Sequence, residues 1–133
     1  MFKIAILVLI IAGLAYIRLA PSEVTRWHDM PDFDSDQDLA GGVMRVLDPV
    51  DQAQFAKLVQ VIQVSDRVTH LAGSVADGKI TFIARTKWMG FPDYVTLQWG
   101  DNRLRVYSRL RFGQSDLGVN GRRLDTWISQ VFG

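Results

Sequence analysis

"DYVTLQWGDNRLRVYSRLRF", residues 93–112, decides the fold. Its two arms alternate apolar and polar residues with a period of two, and Gly100-Asp101-Asn102 between them are turn-formers, so the stretch is a β-hairpin. In the second arm Leu104, Val106, Ser108, Leu110 and Phe112 point to one face, while Arg103, Arg105, Tyr107, Arg109 and Arg111 point to the other. One face is made for a core and the other carries four guanidinium groups.

Upstream, the same period runs through "LAGSVA" and "KITFIART", joined at Asp77-Gly78, a two-residue hairpin signal because both residues tolerate positive φ. Four antiparallel strands follow, and a fifth if "GGVMRVL", 41–47, pairs with them. Lys79, Thr81, Arg85 and Lys87 share one face of their strand and are expected to extend the arginine face. Two helices flank the meander. Asp48 is read as the N-cap of the first, with Pro49 at its first position, and Phe55, Leu58, Val59 and Ile62 form its inward stripe. The second carries Leu124, Trp127, Ile128 and Val131 at i, i+3, i+4 and i+7, an apolar face that needs a sheet to cover. The expected class is α+β: a four- to five-stranded antiparallel meander with one helix before it and one after.

The N-terminus differs in character. "IAILVLIIAGLAYI", 4–17, has no charged side chain and is bracketed by Lys3 and Arg18. As a helix it spans about 21 Å, short of a hydrocarbon core of roughly 30 Å, but Phe2 and Leu19 extend it and the flanking bases can snorkel. Residues 1–20 are read as a membrane helix in preference to a cleaved signal, because Arg18 and Leu19 make a poor cleavage site. Residues 21–42, rich in aspartate, are read as a polar linker and 43–133 as a single domain. Asp34, Asp36 and Asp38 have the spacing of a calcium loop, but Leu39 stands where its glycine belongs and Arg45 where its glutamate belongs, so no metal site is expected.

Net charge is only +1, yet Pro21 to Gly78 holds ten acidic against four basic residues, and Lys79 to Gly133 nine basic against four acidic. Near neutrality overall, with the basic face behind a membrane segment, argues against nucleic acid. The basic face with Arg85, Arg105, Arg109 and Arg111 suits an anionic lipid, a glycan or an acidic protein. No cysteine is present, so disulfides and thiolate metal sites are excluded.

The remaining candidate is the corner "RFGQSDLGVNGRR", 111–123. Asn120 precedes the final helical run and is expected to cap it, and Arg111, Arg122 and Arg123 surround a helix N-terminus, the parts of an anion pocket that Asp116 can itself fill. Catalysis has one route: Asp93 and Asp116 as acid and base of a hydrolase acting on an envelope component. Ser108 or Ser115 with His70 and Asp116 lacks the spacing of a nucleophile elbow, and no phosphate-binding glycine loop precedes a helix. No cofactor is expected.

"SRLRFGQSDLGVNGRR" together with "ARTKWMGFPDYV" resembles the bacterial and plastid family called domain of unknown function 1499, over about residues 45 to 132. Its pattern is approximately R-S-x-S-R-x-G-x-S-D-x-G-V-N-R-x-R after G-F-x-D-D-V. Ser108, Arg111, Gly113, Ser115, Asp116, Gly118, Val119, Asn120 and Arg123 match it, as do Gly90, Phe91 and Asp93. Tyr107, Leu110, Tyr94 and Gly121 depart from it, and the family's cysteine-containing N-terminal segment is missing. The resemblance implies a small envelope-associated protein of undefined activity, with Ser108, Ser115, Asp116, Asn120 and Arg123 in its polar cluster. The expected setting is a single-pass anchor in the bacterial inner membrane with the folded domain in the periplasm.

Overall fold

A computed structural model describes all 133 residues. Helix α1 (Phe2–Leu19) buries none of its residues and touches the domain through its last turn. It is longer than the uncharged run alone, because Phe2, Lys3, Arg18 and Leu19 continue the helix, giving about 27 Å at 1.5 Å per residue. Mean hydropathy over its 18 residues is 2.2, enough by length and composition to cross a membrane.

After a one-turn helix α2 (Val24–Trp27) come strands β1 (Gln37–Leu39) and β2 (Gly42–Leu47), helix α3 (Gln52–Gln63), strands β3 (Val68–Ser74), β4 (Lys79–Arg85), β5 (Pro92–Gly100) and β6 (Arg103–Leu110), and helix α4 (Val119–Phe132). The six strands form one antiparallel sheet in the order β1-β2-β6-β5-β4-β3. The α+β class and the meander are as expected, and the fifth strand pairs with β6. The sixth, β1, was hidden because three exposed polar-leaning edge residues carry no readable alternation.

Alternation sorts the sheet's two faces as the sequence required. Val43, Phe82, Val95, Leu97, Leu104 and Val106 meet Phe55, Leu58 and Ile62 of α3 and Leu124 and Trp127 of α4 in the main core. Helix α3 starts later than expected. Its cap is Asp51, not Asp48: Gln54 N–H donates to Asp51 Oδ1 at 2.7 Å and Asp51 N–H to Gln54 Oε1 at 3.0 Å, a reciprocal capping box that satisfies two otherwise orphaned donors.

The opposite face is not open to solvent. Residues 21–34, expected to be part of a polar linker, lie across it with Trp27 and Phe33 buried. Trp27 stacks on Tyr94 of β5 with ring centroids 3.9 Å apart and planes 10° from parallel. That packing is invisible in composition, since the segment's two large aromatics sit among aspartates.

Candidate functional site

The arginine face resolves into two halves. Far from α1, the acidic segment covers the basic strand: Arg105 Nη1 pairs with Asp32 Oδ1 at 3.0 Å and Arg103 Nη1 with Asp34 Oδ1 at 3.4 Å. Both aspartates are largely solvated, so each pair contributes little, and their effect is to neutralise that half.

Toward α1 the guanidiniums meet only neutral oxygens. Arg85 Nη1 donates to Gly90 O at 3.0 Å and to Ile17 O, the end of α1, at 3.4 Å. Arg111 Nη1 donates to Pro21 O at 2.9 Å and to Tyr94 Oη at 3.1 Å. Arg109, 7% exposed, donates to Thr96 Oγ1 at 2.8 Å, Trp27 O at 2.6 Å and Tyr107 O at 3.1 Å. None of the three takes part in an ion pair. Burial pushes the Arg109 pKa down to about 10, which leaves it charged at neutral pH. Arg109 also lines a recess of about 490 Å³ with Arg26, Trp27, Asp29 and Tyr107.

On the helix side of the same sheet end, the two matching sequence stretches meet. Ser108 Oγ donates to Asn120 Oδ1 at 2.6 Å, Asn120 Nδ2 to Asp116 Oδ2 at 2.9 Å, and Arg123 Nη2 to both Asn120 Oδ1 at 3.0 Å and Asp93 Oδ2 at 2.9 Å. Ser108 and Asn120 are fully buried. Burial raises the Asp93 pKa above the ordinary 3.8, against the lowering effect of Arg123. Asp116 moves the other way: although its own burial opposes ionisation, Asn120 and backbone N–H donors outweigh it and hold the carboxylate below that value.

Here the expected cap is corrected. Helix α4 begins at Val119, and Asn120 lies inside its first turn, pointing into the core. The cap is Asp116, whose Oδ1 accepts from Gly118 N–H at 2.9 Å and Oδ2 from Asn120 N–H at 3.1 Å. Gly118, at φ 80°, makes the left-handed step that brings the loop round to that carboxylate. The helix N-terminus therefore already holds an anion, as its dipole favours. Arg122 turns back to Leu117 O at 3.0 Å, and Arg111 lies on the other side of the sheet, so the expected arginine ring does not assemble there.

Ser115 Oγ accepts from Leu117 N–H at 3.2 Å in the same loop. Sequence reading missed Tyr94 and Thr96, which with Trp27 and Tyr107 hold Arg109. The signal available was the pairing of β5 with β6, which sets Thr96 opposite Tyr107 and Tyr94 opposite Arg109.

These features define a small α+β domain, carried on an apolar N-terminal helix, in which a buried Ser–Asn–Asp network joins the last strand to the last helix. The chain belongs to the protein family of unknown function DUF1499, whose model matches residues 22–131. The match begins before the sheet and takes in the acidic segment. No curated protein matches the chain.

Proposed function

We propose that the protein is a membrane-anchored, non-catalytic binding domain that presents Arg85 and Arg111 to anionic headgroups at the bilayer surface beside the end of α1, with Arg109 buried behind them. The observation that carries this reading is the division of the arginine face: the distant guanidiniums are matched by Asp32 and Asp34, while Arg85 and Arg111, next to α1, hydrogen-bond only to neutral oxygens. Arg18 and Lys87 add charge at the same edge, and Arg18 Nη2 reaches Trp88 O at 3.2 Å. Anionic leaflets attract such clusters by about 1 kcal/mol per base. The reading holds for either orientation of α1.

The hydrolase reading retains one supporting observation. Asp93 and Asp116 have their pKa values displaced in opposite directions, as an acid and a base require. Against it, three donors at the start of α4 already hold the Asp116 carboxylate, one on Oδ1 and two on Oδ2, which commits it to ordering the helix N-terminus.

Fragment 20–133 keeps every core residue, since α1 buries none, and allows a direct test by co-sedimentation. It is expected to sediment with phosphatidylglycerol-rich vesicles at low salt and to be released at high salt. Arg85→Glu with Arg111→Glu should weaken binding at least about tenfold. Equal binding to phosphatidylcholine, or indifference to the double charge reversal, would remove the reading.

A further inference from the structure

We propose that the cleft between the β4–β5 loop and the β6–α4 loop binds a hydroxyl-headed lipid admitted from the bilayer. This site lies on the helix side of the sheet, away from the arginines, and rests on the reading that α1 is in a membrane. The cleft holds about 330 Å³, the size of a small-molecule site. Phe91, Leu110, Phe112, Leu117 and Val119 supply its apolar walls, and Thr86, Asp93, Ser115 and Asp116 its polar end.

The unspent hydrogen-bonding groups define the ligand's head. Asp93 Oδ2 accepts from Arg123 at 2.9 Å, while Oδ1, beside an Asn120 amide that gives one of its two protons to Asp116, keeps lone-pair capacity for a further donor. Thr86 Oγ1 accepts from Phe91 N–H at 2.9 Å and Ser115 Oγ from Leu117 N–H, so both hydroxyl protons remain to be donated. One acceptor beside two donors suits a hydroxyl, which donates to Asp93 and accepts from Thr86 or Ser115. A phosphate would face two carboxylates with no guanidinium in the lining.

The two loops that bound the cleft lie beside the end of α1. Trp88 and Leu117, 81% and 82% exposed, stand on the two loops, with Met89 beside Trp88. Exposed apolar side chains on adjoining loops suit an interaction surface. Both loops are tied to the last turn of α1: Arg18 holds Trp88 O, and the Tyr16 ring meets Phe112 edge-on at 5.9 Å. A tryptophan on the β4–β5 loop is suited to the bilayer interface.

The test places the full chain in phosphatidylcholine nanodiscs with a monoacylglycerol carrying a diazirine in its acyl chain, and maps the cross-linked peptides. Cross-links are expected in 86–93 and 110–119 as well as in α1. Unlabelled monoacylglycerol should compete for the loop sites, and Val119→Trp, which fills the cleft, should abolish them. Thr86→Ala with Ser115→Ala, a milder change, should reduce them at least about fivefold. Cross-links confined to α1 would overturn the cleft site while leaving the membrane reading standing, and absence from α1 as well would overturn both. Equal loop labelling by probes of the same chain with a phosphate or amine head would overturn the assignment of a hydroxyl.

Discussion

Trp27→Ala is expected to lower the unfolding free energy by about 3–5 kcal/mol, the usual cost of truncating a buried tryptophan. Trp27 is 7% exposed, stacks on the fully buried Tyr94 and lies within 5.7 Å of the Arg109 guanidinium. Its own carbonyl accepts from Arg109 Nη2 and from Thr96 Oγ1, so a loosened segment also strips one acceptor from a buried cation. Residues 20–34 should then become sensitive to protease while α3, α4 and the sheet core stay protected. Trp27→Phe keeps most of the stack and should cost about 1–2 kcal/mol. Urea unfolding with limited proteolysis reads both effects, and a Trp27→Ala protein of unchanged stability would mean that the acidic segment is only a tether.

Asn120→Ala is expected to cost about 2–4 kcal/mol, because it removes one side chain that three others need. Ser108 Oγ loses its acceptor in a fully buried position, Arg123 loses one of two, and Asp116 loses the amide that orients it toward the α4 backbone. Asp116→Ala should cost less, about 1–2 kcal/mol, since it deletes a partly exposed cap and leaves the Ser108–Asn120 bond in place. Thermal unfolding of the two variants side by side tests this order, and Asp116→Ala proving the more damaging would contradict it.

The strand alternation carried most of the fold. Odd and even residues of β6 fall on opposite faces as read, but the chain turns between β3 and β4 over four residues, Val75 to Gly78, and not the two expected at Asp77-Gly78. Both helix caps were misplaced by a few residues for the same reason: Asp48 and Asn120 are good capping types, but better-placed aspartates, Asp51 and Asp116, were close by and tertiary packing selected them. The corner's polar cluster was legible as a group of residues. Its internal wiring was not, because Asp93 reaches Arg123 on α4 across a separation of 30 positions, and no local pattern records it. The cover over the arginine face was hardest to see, since a run of aspartates reads as solvated unless their partners on a distant strand are known.

The central claim is that the edge of the sheet beside α1 rests on a bilayer. The native chain has no cysteine, so single spin labels can be introduced without background. Labels at Trp88→Cys and Leu117→Cys report the proposed membrane edge, and labels at Asp77→Cys and Asp101→Cys report the turns at the opposite end of the strands. For the full chain in nanodiscs, power-saturation spectroscopy should find positions 88 and 117 more accessible to oxygen than to a water-soluble nickel chelate, and positions 77 and 101 the reverse. Four positions equally open to the nickel chelate would place the domain clear of the membrane and contradict the claim.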